Sequence, residues 1–320
     1  MRRIVALAAV VLLAGCFGVT TESRAPLDVA TPGTWTTLAP LPTPRQEVAA
    51  AALDGRVFVI GGFGENAEPV AVVEAYDPTT DRWEARAPLP APTHHAAAAV
   101  VSGRLFVVGG FTGGRMSWVA QAELYEYDPA RNAWIARAPL PTPRGALAAA
   151  AVGDRLHAVG GSSGGLTPAH EIYDPATNRW TAAAPLAVPR DHLAAASANG
   201  HLWAIGGRRS FLGEQYDNVD VYVPADERWT VSTPLPSARG GLAAAVLGNR
   251  VFVFGGEAPL RIFASAEMYD PVKQQWIAKT AMPTPRHGIA AVALNGRIYV
   301  AGGGTQPGFA RSDVNEAYQP

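Results

Sequence analysis

Six pairs of neighbouring residues hold four of the chain's seven histidines, with two carboxylates among them. They are Gln46-Glu47, His94-His95, Gly145-Ala146, Asp191-His192, Gly240-Gly241 and His287-Gly288. Each pair directly follows one member of a recurring set: Arg45, Thr93, Arg144, Arg190, Arg239 and Arg286. Imidazoles beside carboxylates can pass protons near neutral pH, where histidine changes charge. Glu47, His95, Asp191 and His192 are therefore acid–base candidates, with His94 and His287 beside them. Nothing in their spacing singles out one reaction. Cys16 is the sole cysteine, so the chain can form no disulfide within itself.

A second set lies where the chain changes length between otherwise similar segments. It comprises Phe63, Glu65 and Glu68, then Phe111, Arg115, Met116 and Trp118, then Arg208, Arg209 and Phe211, then Arg261, Phe263, Phe309 and Arg311. Aromatic residues interleaved with arginine suit contact with a protein or a carbohydrate. Arg115, Trp118, Arg208, Arg209 and Arg261 join the first set as ligand-binding candidates.

The elements that position these residues follow from repetition. Gly-Gly pairs begin at Gly61, Gly109, Gly160, Gly206, Gly255 and Gly302. Tryptophans recur at Trp35, Trp83, Trp134, Trp180, Trp229 and Trp276. The Arg or Thr position stands ten residues after each Trp, and the first Gly sixteen residues later, in all six copies. After the Arg comes an apolar run such as Glu47–Leu53, then a DG or NG turn, then a β-branched run such as Val57–Ile60: a hairpin. A third strand carries Glu and Tyr before a Pro turn, as in EAYDP at 74–78, and Trp opens a fourth. Four antiparallel strands in each of six units is a β-propeller pattern. From the first Gly to the residue before the turn Pro the intervals are 16, 19, 14, 17, 15 and 17. All length variation thus lies between second and third strands, and such insertions map to one face, often the binding face.

The Gly pair, the Tyr before the turn and the Trp after it resemble the kelch repeat over residues 34–320. The resemblance implies an all-β, six-bladed kelch-type propeller with four antiparallel strands per blade. The chain stops at Tyr318-Gln319-Pro320, where a turn and a Trp strand are due, and the orphan strand near Trp35 is expected to complete the last blade. Departures are Thr93 in place of Arg, VYVP at 221–224 and AYQP at 317–320. The repeated Arg, Trp, Tyr and Gly read as structural, because they recur in every blade. The recurring Arg is expected to bond backbone carbonyls. His157 stands in the column of Phe58, Phe106 and Phe252 and reads as a strand residue.

In a six-bladed ring the histidines fall on blades two, four and six, which makes a polar funnel. Zinc needs all its ligands about 2 Å from one point. Residues of alternate blades are expected to stand too far apart for that, so no metal and no cofactor are expected. Some kelch propellers are copper-radical oxidases that need a Cys joined to a Tyr. Cys16 stands in the leader, which excludes that class. Others are sugar-acid epimerases or mutarotases, which leaves an enzyme of that kind, working through the funnel, as the alternative to a non-catalytic binding module for a protein or glycan.

The chain opens MRRIVALAAVVLLAGC: a basic start, an apolar run and small residues before Cys16. That order is an export signal, too short for an ordinary span. Leu13-Ala14-Gly15-Cys16 resembles a bacterial lipobox. It implies a signal over 1–15, lipid on Cys16, a tether over 16–32 and a folded domain over 33–320, held at the cell envelope. The membrane contact would then be through that lipid alone. Net charge is −1 and the only lysines are Lys273 and Lys279, which gives no support for nucleic acid as a partner. A monomer is expected.

Overall fold

The computed structural model describes residues 30–114 and 117–320. The expectations placed on the signal over 1–15, on Cys16, on the tether up to residue 29, and on Arg115 and Met116 lie outside the described residues.

Six four-stranded antiparallel sheets stand round one axis. The inner strands are Ala49–Leu53, Ala97–Val101, Ala148–Val152, Ala194–Ala198, Ala243–Leu247 and Ala290–Leu294. Alanine fills them because inner strands converge and leave no room for larger side chains. The second strands, Arg56–Ile60 and its counterparts, are buried on both faces over their last four residues. This accounts for their continuous β-branched and aromatic runs. His157 is such a residue, paired with Ala150 as Phe58 is with Ala51.

The orphan strand closes the ring. Thr34–Thr37 is the outer strand of the last blade, antiparallel to Asn315–Gln319, with Trp35 opposite Tyr318. Trp faces Tyr in the same register in the other five blades. Each indole N–H reaches back to a carbonyl of the preceding blade. Trp83 donates to Ala39, Trp134 to Ala87, Trp180 to Ala138, Trp229 to Ala184, Trp276 to Thr233 and Trp35 to Thr280, at 2.7–3.0 Å. Six hydrophobic clusters fill the clefts between neighbouring blades, including the one that joins last blade to first. Docking begins before residue 33: the Thr31 carbonyl accepts from Lys279 Nζ at 2.8 Å, and that of Pro32 from the Tyr318 hydroxyl at 2.7 Å.

The recurring arginines do more than bond carbonyls. Arg45, Arg144, Arg190, Arg239 and Arg286 have no exposed surface, and each also meets a third-strand carboxylate. The pairs are Arg45–Glu74, Arg144–Glu171, Arg190–Asp220, Arg239–Glu267 and Arg286–Glu316. Blade two replaces both partners together, with Thr93 in the Arg column and Tyr125 in the acid column. A cavity of about 50 Å³ between Thr93 and Tyr125 marks the missing guanidinium.

Candidate functional site

The residue two places after each recurring Arg adopts the left-handed conformation in every blade. The φ values are +53° for Glu47, +52° for His95, +51° for Ala146, +50° for His192, +63° for Gly241 and +58° for Gly288. These six residues form a closed circle of backbone hydrogen bonds about the axis. Glu47 N donates to Gly288 O, His95 N to Glu47 O, Ala146 N to His95 O, His192 N to Ala146 O, Gly241 N to His192 O and Gly288 N to Gly241 O, at 2.8–3.1 Å. The circle draws the six chain turns together at one end of the propeller. At Gly288 an added Cβ would stand 2.5 Å from Glu47 Oε1 and 3.0 Å from Glu47 N, so a side chain there must displace Glu47.

The circle corrects the distance argument made from sequence. Residues of alternate blades do meet: His95 Nε2 lies 3.0 Å from His192 Nε2. Glu47 Oε2 lies 3.3 Å from His95 Nε2. His192 Nδ1–H donates to Asp191 Oδ1 at 2.8 Å. The reason is that left-handed backbone aims these side chains across the axis instead of along the sheets. Burial, with His192 and His94 nearby, pushes His95 well below the usual histidine range, and burial pushes His94 down to about 3. Both are neutral near pH 7.

Above the circle opens a cup of about 310 Å³. Its floor carries Glu47, His95, Arg208, Glu257 and His287, and its wall is built from Phe63, Trp118, Phe211 and Phe309. The residue after each Gly pair forms a bridge to the residue after the recurring Arg or Thr: Gln46 to Phe63, His94 to Phe111, Gly145 to Ser162, Asp191 to Arg208, Gly240 to Glu257, His287 to Gly304. These bridges seat the cup on the circle. Arg208 Nη1 meets Glu257 Oε1 at 2.5 Å, and Arg208 Nε lies 3.8 Å from Asp191 Oδ1. His287 Nε2 stands 3.5 Å from Glu257 Oε2. The floor's acids and bases are therefore tied to one another. In the wall, Phe63 packs 5.5 Å from Phe309 and 5.9 Å from Trp118.

The structure brings Glu47, His95, Trp118, Arg208 and His287 into the cup. Asp191 and His192 lie at its base, with His192 turned to the axial channel below. His94 does not line the cup: it is buried under Phe63, stacked at 3.9 Å, with Nε2 3.2 Å from Gly113 O. Arg209 and Arg261 are exposed on the loops outside it, Arg261 lying over Phe263 at 4.4 Å. Glu257 escaped the sequence reading. Its signal was its column, since the residue after the Gly pair is the one that bridges to the cup floor in blade after blade.

Similarity to known proteins agrees with the propeller fold. The family described as the KLHDC2/KLHL20/DRC7 Kelch-repeats domain matches residues 27–186 and 87–256, and the Kelch motif matches 238–283. The chain is 31% identical over 128 residues to Kelch-like protein 35 of Mus musculus, a stretch that is 40% of this chain and 21% of that protein. It is 30% identical over 132 residues to Beta-scruin of Limulus polyphemus, 40% of this chain and 14% of that protein. The chain thus spans about a fifth of one relative's length and about a seventh of the other's. Among solved structures, the one titled "Structure of YjhT" shares the fold with a TM-score of 0.74 at 16% identity, over 88% of this chain and 96% of that one.

Proposed function

Because this chain belongs to the kelch-repeat family, whose propellers are typical protein-interaction modules, we propose that it is a non-catalytic binding module that seats a protein segment in the cup. One observation carries the reading. Among the described residues, the large exposed apolar side chains are Trp118, Val119, Phe211, Leu212, Val231, Leu260, Val272 and Phe309. Six of these eight, all but Val231 and Val272, lie between second and third strands, on the face where the cup opens. Exposed apolar surface concentrated on one face, round a cavity with polar groups at its base, is the pattern of an interaction site. The mutual pairing of Arg208, Glu257, Asp191 and His192 suits a rigid floor better than proton transfer to a substrate. The leader through Cys16 supports placing this module at a bacterial cell envelope on a lipid anchor.

The test is selection of a displayed peptide library on the full chain in detergent, followed by affinity measurement against Trp118→Ala and Phe309→Ala. Selected peptides should bind each variant at least tenfold more weakly. Undiminished binding would move the ligand elsewhere. A glycan array probed in parallel, with retention that depends on Trp118, would change the ligand class to carbohydrate. Incorporation of labelled fatty acid into wild type, absent in Cys16→Ser, checks the anchor.

A further inference from the structure

We infer that Glu47, His95 and His192 form a binding site for one divalent transition-metal ion of the zinc type, on the propeller axis beneath the cup. Hydrogen positions decide what these three groups can hold. His94 Nε2 lies 3.2 Å from Gly113 O, and a carbonyl only accepts, so this nitrogen carries the hydrogen and His94 Nδ1 is bare. His95 Nδ1 stands 2.5 Å from that bare nitrogen, so it is the donor and His95 Nε2 is bare in turn. Across the axis, Asp191 Oδ1 accepts from His192 Nδ1–H at 2.8 Å, which in the neutral ring leaves His192 Nε2 bare. Two nitrogen lone pairs therefore face each other at 3.0 Å, and a Glu47 carboxylate oxygen lies 3.3 Å from one of them. With both rings neutral, three acceptors converge with no hydrogen between them. Such an arrangement repels itself unless a cation sits among the three.

The geometry suits a metal. One ligand atom from each residue lies within 4.8 Å of the other two. In a tetrahedral shell with bonds of about 2.1 Å, ligands stand roughly 3.4 Å apart. Two of the pairs already have such spacing, and a turn of the Glu47 carboxylate closes the third. Two imidazoles and a carboxylate are the donor set of open zinc sites. Asp191 holds His192 as a carboxylate commonly holds a metal-ligating histidine.

The backbone adds an independent reason. Glu47, His95 and His192 occupy the left-handed position in blades one, two and four, Ala146 in blade three, and Gly241 and Gly288 in blades five and six. A non-glycine residue there is strained. The fold accepts glycine at this position, yet places a ligating side chain at three of the six. These three come from separate blades, so a bound ion would tie them across the axis. Glu47 and His95 also line the cup, so a fourth coordination position can be shared with whatever occupies it.

Zinc is the probe. The full chain carrying Cys16→Ser, purified in detergent and stripped with a chelator, is titrated with zinc by calorimetry and assayed for retained metal after dialysis. We expect one zinc per chain, affinity at least 100-fold lower in His95→Gln and in His192→Gln, a 10- to 100-fold loss in Asp191→Asn, and no change in His201→Gln. X-ray absorption of the wild-type zinc form, which needs no variant, should show two imidazole nitrogens and oxygen ligands at about 2.0–2.1 Å. Retention of less than a tenth of a zinc per chain would overturn the inference and leave a shared proton as the cation. Zinc held equally well by both histidine variants, or absorption without imidazole, would overturn it too.

Discussion

Exchange of the buried Arg144 for Met is the sharpest perturbation of the frame that carries the site. Arg144 has no exposed surface and donates to the carbonyls of Gly160, Thr142 and Ala158 and to Glu171 Oε2. Its loss leaves the Glu171 carboxylate buried, with its side chain 7% exposed and Thr142 Oγ1 as its remaining side-chain donor. Breaking a buried pair in this way costs about 3–5 kcal/mol, mostly from the uncompensated charge. Blade two shows the alternative, Thr93 with Tyr125, which strands no charge. Transplanted as Arg144→Thr with Glu171→Tyr, that pair should leave a cavity of the size seen in blade two, about 50 Å³. At about 24 cal/mol per Å³ that void costs about 1.2 kcal/mol. The double variant is therefore expected to be more stable than Arg144→Met alone, by about 2 kcal/mol or more. Urea unfolding followed by tryptophan fluorescence measures both. A double variant as unstable as the single one, or a single variant within 1 kcal/mol of wild type, would refute the reasoning.

Stability should fall as the medium becomes acidic, partly through the His157–His170 pair, whose rings are 2.9 Å apart at His157 Nδ1 and His170 Nε2. Burial holds His157 at about 3 and His170 at about 4. Unfolded, both titrate near 6.5. Below that pH the unfolded chain binds more protons, so each group removes up to about 1.4 kcal/mol per pH unit until its folded value is passed. His157→Phe, which copies Phe58, should flatten the melting temperature between pH 7 and 5; a slope parallel to wild type would contradict this. Gly33→Ala should loosen ring closure, because φ is +82° and the added Cβ would stand 2.1 Å from the Tyr318 hydroxyl. Faster proteolysis of the Thr34–Thr37 strand is the expected readout, and wild-type resistance would count against the closure. Gly288→Ala should weaken zinc binding at least tenfold by displacing Glu47, as titration would show; unchanged affinity would detach Glu47 from the ion.

The blades, their closure and the variable face were legible because each rests on a residue that recurs at fixed spacing. Trp35 at the start and Tyr318 at the end declared themselves halves of one blade. The axial cluster was not legible in the same way. Its formation depends on the sign of φ at Glu47, His95 and His192, and nothing in those residue types reveals left-handed backbone. The glycines at 241 and 288, in the same column, were the available hint. The acid partner of the buried arginines was also visible in principle: where Thr93 replaces Arg, the third-strand acid is replaced by Tyr125, a paired exchange that reports contact. Glu257 went unnoticed because its column holds a different residue type in most blades.

On the proposed reading the ligand sits on the face that the variable loops ring. Hydrogen–deuterium exchange of the full chain, with and without a selected peptide, tests that placement most directly. Slowed exchange is predicted in 63–72, 111–114, 117–123, 208–218, 257–265 and 304–314, the segments that border the cup. Slowing confined to the outer strands, or to the hairpin turns at the opposite end of the propeller, would contradict it.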